Sequence, residues 1–157
     1  NCSINTKRIG SIDFHYEFLR NWDSKESCYD LLLNNLPELY IISCRNINEG
    51  LFRRFKINKI ESINIPPELM FEDKTYIGLS HYPDRFLEIK DKIQSMGDLK
   101  GKLLLYGAGF VGKIYGLFWK NNGGVAIDIG SVFDRFAGKL TRGKDKSATA
   151  IDLTYKL

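Results

Sequence analysis

Apolar residues recur along the chain in two patterns, a spacing of three to four residues and short unbroken runs. The first pattern predicts amphipathic helices, and the two nearest the N-terminus are expected at Gly10–Arg20 and Glu26–Leu36. The second pattern is typical of strands that are covered on both faces. Runs of this kind, with the helical spacing between them, predict strands at Leu39–Cys44, Ile57–Ile65, Lys102–Tyr106 and Val125–Ile129, and helices at Glu49–Lys56, Pro83–Met96 and Phe110–Asn121.

Strands that alternate with helices predict an α/β fold. We expect a Rossmann-like, mostly parallel sheet of about four strands, with helices on both faces, two N-terminal helices and right-handed crossovers. Residues 1–157 are expected to form a single domain, with a helical lead-in (1–37), a nucleotide-binding-type core (38–142) and a tail (143–157). The chain begins with Asn1 rather than Met, so we expect it to be a piece of a longer polypeptide.

The residues that follow the strands are the candidates for a site, because ligands of such sheets bind beyond the carboxyl ends of the strands. Residues 107–112 read Gly-Ala-Gly-Phe-Val-Gly, which matches G-x-G-x-x-G between a predicted strand and a predicted helix. Glycines at Gly107, Gly109 and Gly112 would let the backbone approach a phosphate, and Lys113 would add a positive charge. A purely structural tight turn is the alternative for these glycines.

Asp128 ends the next predicted strand, where a dinucleotide-binding fold keeps the acid that holds ribose hydroxyls. It is equally suited to cap the turn that follows it. Ser131 is a good N-cap residue, and Asp134, three positions later, partly imitates a capping box. Ser131 is also a candidate ligand contact, and Asp134 is a candidate proton acceptor.

Three further charged or titratable residues lie in predicted loops near the strand ends. His81 stands beside a tyrosine and a proline, where it could shuttle a proton or bind a phosphate, or could simply be solvated. Arg45 and Glu68 each follow a predicted strand and could reach a ligand there.

The composition of the chain is that of a globular domain and indicates which kinds of partner it suits. Hydrophobic residues make up 43% and charged residues 27% of the chain, as in an ordinary globular domain. The net charge of +4 suits an anionic ligand but includes no dense basic block, so we expect no nucleic-acid partner. Three cysteines without CxxC spacing favour reduced thiols in the cytoplasm. No stretch approaches the roughly 20 apolar residues of a transmembrane helix.

Several catalytic and metal motifs are missing from the sequence. It contains no phosphate-loop Gly-Lys-Ser/Thr, no HExxH, no GxSxG and no Asp-x-Asp or Asp-x-Glu triplet. The metal ligands of a divalent-ion site are therefore unknown and would have to come from dispersed or upstream positions.

Residues 107–115, 123–131 (Gly-Gly-Val-Ala-Ile-Asp-Ile-Gly-Ser) and 134–138 resemble the C-terminal part of the GT-D fold glycosyltransferases, a bacterial family. The pieces Ser-Cys-Arg at 43–45, Ile-Pro-Pro-Glu at 65–68 and His-Tyr-Pro at 81–83 are similar to what precedes that part. The resemblance spans about 39–142. It implies a nucleotide-sugar donor (a UDP-sugar), Mn²⁺ or Mg²⁺, and assembly of a surface glycan or glycoprotein. The family's N-terminal Asp-x-Glu motif is absent from this chain.

Three functions follow as expectations. The first is glycosyl transfer, with nucleotide contacts from the glycine turn, Lys113 and Asp128, and Asp134 or His81 as catalytic residues. The second is a noncatalytic module that binds a glycan or a partner within a larger enzyme. The third is half of an NAD(P)-dependent oxidoreductase, indicated by G-x-G-x-x-G and Asp128.

Overall fold

The computed structural model describes residues 28–67 and 80–137. The chain divides into two compact units, Asn1–Asn34 and Asn35–Leu157. In the first unit, helix α1 (Cys28–Leu33) corresponds to the helix predicted at Glu26–Leu36 and ends at Leu33 rather than Leu36. The predicted helix Gly10–Arg20 and the tail 143–157 lie outside the described residues. The division into lead-in, core and tail therefore stays a prediction.

The second unit contains a four-stranded, fully parallel sheet with the order β2-β1-β3-β4. This confirms the predicted α/β, Rossmann-like fold. The strands are β1 (Leu39–Ser43), β2 (Ile60–Asn64), β3 (Leu103–Gly107) and β4 (Val125–Asp128), and the helices are α2 (Asn48–Phe55), α3 (Phe86–Ser95), α4 (Gly109–Asn121) and α5 (Val132–Phe136).

Burial explains why the apolar runs become strands. Every residue of β1 is buried, because this strand lies between β2 and β3 and is covered on both faces. Alternate side chains of a strand point to opposite faces. On one face, Tyr40, Ile42, Leu104 and Tyr106 form a core cluster with residues of α3 and α4 that include Ile89, Ile93, Tyr115 and Trp119.

Helix α4 packs closely on β3 because two of its glycines, Gly112 and Gly116, lie against Tyr106. A Cβ at Gly112 would lie 3.0 Å from Cδ2 of Tyr106, and one at Gly116 would lie 2.7 Å from the Tyr106 hydroxyl. The Tyr106 ring occupies the space that these side chains would need. The close contact fixes the start of α4 against the end of β3.

Two predicted boundaries move for local reasons. Strand β2 begins at Ile60 rather than Ile57, because Lys56 takes a left-handed conformation (φ 52°) and the Asn58 amide bonds the Leu36 carbonyl at 3.0 Å. Regular helix begins at Phe86 rather than Pro83. An irregular π-type turn precedes it over His81–Arg85, in which Tyr82, the residue before a proline, is extended.

Within the described part of the chain, no helix combines the length and the apolar character that crossing a bilayer requires.

Candidate functional site

A cavity of about 480 Å³ opens at the carboxyl edge of the sheet. The connection from β1 leads to β2 on one side, and β3 lies on the other side, so the strand order reverses between β1 and β3. Parallel α/β sheets bind ligands at such a switch point. The cavity gathers most of the predicted site residues, namely Arg45, His81, Gly107, Gly109, Lys113, Asp128, Ser131 and Asp134.

The glycine turn forms one wall of the cavity. A Cβ at Gly107 would lie 2.6 Å from Cδ2 of Phe133 and 2.7 Å from the Gly130 carbonyl oxygen, so a larger residue does not fit. Gly109 has a φ of 56°, in the left-handed region that favours glycine. Helix α4 begins at Gly109, and among the described residues no side chain caps it. Its first-turn amides are the donors that an anion at a helix N-terminus uses.

Gly112 has a different place from the other two glycines of the motif. It does not belong to the cavity lining as far as the described residues define it, and a Cβ there would lie 2.9 Å from the Ala108 Cβ. The structure gives Gly112 a packing role between α4 and β3, and the predicted ligand contact there stays a prediction. The third glycine of a dinucleotide fingerprint has this packing role as well.

Lys113 and Asp128 face each other at the cavity. The Lys113 ammonium donates to Oδ2 of Asp128, and this bond raises the pKa of Lys113. Oδ1 of Asp128 accepts the Gly130 amide at 2.9 Å, so this carboxylate makes the turn-capping bond that was one of its two predicted roles. The same carboxylate lines the cavity, so ligand contact is compatible with the capping bond.

Arg45 and Asp134 form an ion pair that also lines the cavity. Nε of Arg45 donates to Oδ1 of Asp134 at 2.7 Å, and the two side chains are 7% and 16% exposed. The Arg45 amide also donates to Oγ of Ser43 at 3.1 Å, which holds the arginine at the end of β1. Ser131 immediately precedes α5, as its predicted capping role requires, and its carbonyl accepts the Asp134 amide at 3.1 Å.

His81 is held against α4 by Tyr115, a residue that sequence reasoning did not single out. Nε2 of His81 and the Tyr115 hydroxyl are 3.0 Å apart, and their ring centroids are 5.7 Å apart. Tyr115 is fully buried, and this burial raises the pKa of its hydroxyl to about 12. Tyr115 therefore stays a neutral phenol that can accept a hydrogen bond from the imidazole or donate one to it.

Other residues of the cavity were also missed. Phe110 lines the cavity, but in the sequence it was treated only as a variable position of the glycine motif. Its spacing from Lys113 was a usable signal, because residues three positions apart lie on the same side of a helix. Phe133 lines the cavity as well and is 2% exposed. Nothing local in the sequence indicated that Phe133 would pack over Gly107.

The described residues offer no group of three or more His, Cys, Asp or Glu side chains that could hold a metal ion. Glu68, a predicted ligand contact, lies outside the described residues. The part of the chain that the structure describes therefore shows no such ligand set, and the expected Mn²⁺ or Mg²⁺ stays a prediction.

Comparisons with known proteins give no match. No family model matches the chain, and neither a curated protein nor a solved structure matches it.

Proposed function

We propose that this chain binds a nucleotide-sugar donor, such as a UDP-sugar, and takes part in glycosyl transfer to a glycan or glycoprotein of the bacterial surface. One observation carries the proposal. The uncapped N-terminus of α4 and the Lys113 ammonium share a cavity with two carboxylates at the switch point of a parallel sheet. A diphosphate fits the cationic part of this cavity, and hydroxyl groups of a ribose or sugar fit the carboxylates.

In the proposed reaction, an acceptor hydroxyl attacks the anomeric carbon of the donor sugar. The bond from that carbon to the diphosphate oxygen breaks, and negative charge grows on the departing nucleoside diphosphate. The first-turn amides of α4 and Lys113 stabilise this charge, because they are already oriented before the reaction begins. No step is assigned to a metal ion, because the described residues hold no ligand set for one.

The acceptor hydroxyl loses a proton, and two residues of the cavity are suited to take it. An imidazole exchanges protons near neutral pH, and His81 is fixed at the cavity wall by Tyr115. The Asp134 carboxylate is already neutralised by Arg45. We therefore assign the proton acceptor to His81, and we give Asp134 the role of holding Arg45 beside the donor.

Asp128 also favours a second candidate, a dinucleotide cofactor. The register pairs Asp128 with Tyr106, so the carboxylate stands on the strand next to the glycine turn, where NAD-binding folds keep their ribose-binding acid. A UDP ribose would use the same carboxylate. Fluorescence titration with NADH, in competition with UDP-sugars, separates the two, because only a dinucleotide site binds NADH in preference to UDP.

The setting of the reaction follows from the proposed donor. Nucleotide sugars are made and used in the cytoplasm of bacteria, so we place the protein there. The three cysteines without CxxC spacing are consistent with that compartment.

The proposed function is tested by incubating the chain, and any longer polypeptide that contains it, with a panel of nucleotide sugars, Mn²⁺ or Mg²⁺ and candidate acceptors. We expect release of nucleoside diphosphate with a UDP-sugar. The variant His81→Gln is expected to lower kcat by roughly 10²- to 10⁴-fold, whereas His15→Gln, at the only other histidine, leaves it unchanged.

Release only by the longer polypeptide would show that this chain supplies part of the catalyst. Turnover by neither, with a nucleotide sugar still bound, would contradict catalysis and favour a noncatalytic binding module.

A further inference from the structure

Phe110 combines two properties that a structural side chain does not usually combine. It lines the cavity, and it is 87% exposed. Several large apolar side chains are exposed in the described part of the chain, and Phe110 is the one among them that borders the cavity. An aromatic ring with so little protein packed against it contributes little to the core.

The position of Phe110 on α4 places its ring next to the proposed anion site. Phe110 is the second residue of α4, and Lys113 follows three positions later, so the two side chains lie on the same side of the helix. The first-turn amides, including that of Phe110 itself, belong to the same end of the helix. A ligand whose phosphate occupies the amides and Lys113 therefore has the exposed Phe110 ring beside it, on the same side of the helix.

The other phenylalanine of the cavity does not offer the same surface. Phe133 is 2% exposed, and its ring lies where a Cβ of Gly107 would be. Its role is to fill space between α5 and the glycine turn. Phe110 alone of the two rings presents a face to a ligand.

We propose that Phe110 is the stacking platform for the nucleobase of the donor. This inference rests on the proposed function and specifies how the donor is held. A nucleoside diphosphate joins an anion to a flat aromatic base through one ribose, which matches an anion site with an aromatic ring beside it. Because every base has an aromatic face, this contact supplies affinity for a nucleotide and leaves the choice of base to other residues.

The experiment compares two probes, inorganic pyrophosphate and UDP, by isothermal titration calorimetry on the chain. In the variant Phe110→Ala, the Kd for UDP is expected to rise roughly 5- to 150-fold, the range of a lost base–aromatic stack. The Kd for pyrophosphate is expected to stay unchanged, because this probe has no base. Phe110→Tyr, which keeps an aromatic face, should bind UDP like the parent chain.

Leu117→Ala is the matched control. Leu117 is 55% exposed on the same helix and does not belong to the cavity lining defined by the described residues. Its replacement is expected to leave both Kd values unchanged. Phe110→Trp adds a direct readout, since stacking of uracil on the introduced indole should quench its fluorescence on titration with UDP but not with pyrophosphate.

The outcomes separate the two proposals. If pyrophosphate and UDP both bind and Phe110→Ala weakens neither, or weakens both alike, the stacking role is overturned while the anion site stands. If Phe110→Ala weakens binding of a free sugar but not of UDP, the ring serves the acceptor and the inference is overturned. If neither pyrophosphate nor UDP binds the parent chain, the proposed function fails, and the inference fails with it.

Discussion

Arg45 and Asp134, which are 89 residues apart in the sequence, form a hydrogen-bonded ion pair of 2.7 Å at the carboxyl edge of the sheet. The pair connects the end of β1 to α5 and closes one side of the cavity. Both side chains are largely removed from solvent. The pair therefore brings two opposite charges together where solvent screens them little.

Removing Arg45 alone should destabilise the fold. Arg45→Met removes the ion pair with Asp134 and leaves that carboxylate largely buried. We expect the free energy of unfolding to fall by roughly 3 kcal/mol, the lower end of the range for a broken buried pair, because Asp134 keeps some exposure. Urea denaturation measures this change. The double variant Arg45→Met/Asp134→Asn should cost less than the sum of the two single changes.

Arg53→Met provides the matched control. Arg53 pairs with Glu49 one turn earlier on α2, and both side chains are well exposed, at 66% and 79%. We expect a change below about 1 kcal/mol. Equal effects of Arg45→Met and Arg53→Met would show that the pair at the cavity is not the fixed contact described above.

Gly107→Ala should disturb the wall of the cavity. The new Cβ would lie within 3 Å of the Gly130 backbone and of the buried Phe133 ring, so the loop before α5 must shift. We expect a loss of about 3 kcal/mol in the free energy of unfolding and weaker binding of pyrophosphate. Gly101→Ala is the control, because no atom lies within 4 Å of the new Cβ and only the positive φ is strained. It should lower the free energy of unfolding by about 1 kcal/mol and leave pyrophosphate binding unchanged.

Buried Tyr115 predicts a loss of stability at high pH. Burial raises its pKa from 10.0 to about 12, so between these values the unfolded chain releases a proton that the folded chain keeps. The neutral Tyr115 phenol therefore makes its full contribution to the free energy of unfolding below pH 10. As the pH rises toward 12 this contribution is lost, which lowers the free energy of unfolding by roughly 2–3 kcal/mol in total. Denaturation from pH 9 to 12 should show a shallower decline for Tyr115→Phe, whereas Tyr82→Phe, at a 67% exposed tyrosine, should match the parent chain.

Lys113 should contribute to anion binding through its charge. Lys113→Met is expected to weaken pyrophosphate binding roughly tenfold at low salt, which corresponds to the loss of one hydrogen bond to a charged group. The effect of the substitution should become smaller as the salt concentration increases, because salt screens the charge. Lys120→Met, at the exposed far end of the same helix, should have no effect. Asp128→Asn should strengthen pyrophosphate binding, because it releases the Lys113 ammonium and removes a negative charge. Similar affinities in all these variants would contradict an anion site at this end of α4.

Local patterns in the sequence were sufficient for most of the fold. Strand β1 could be predicted because all five of its residues are apolar or small, as a strand covered on both faces requires. The turn from β3 to α4 could be predicted because glycines and a following amphipathic segment mark it. The start of β2 and the start of α3 were misplaced, because the left-handed Lys56 and the extended Tyr82 depend on contacts made by the folded chain.

The pairings inside the cavity could not be predicted in the same way. From the sequence, Arg45 was expected after a strand, and Asp134 was expected three positions after the N-cap candidate Ser131. Their contact also requires β1 to lie beside β3, and this depends on the strand order. Tyr115 lies within the helix predicted at Phe110–Asn121, and only the path of the chain at His81 brings the imidazole to its hydroxyl. Both contacts join segments that are far apart in the sequence.

The central claim, that an anion binds over the glycine turn, is tested most directly by ¹H–¹⁵N NMR of the chain titrated with pyrophosphate and then with UDP. We expect saturable shifts of the amide signals of Gly109, Phe110 and Val111, the first turn of α4, together with those of Gly130 and Ser131 in the adjacent loop of the cavity. Signals of the far end of α4, such as Lys120, should stay in place. Shifts confined to other surfaces, or no saturable shift at the first turn of α4 with either ligand, would contradict the account.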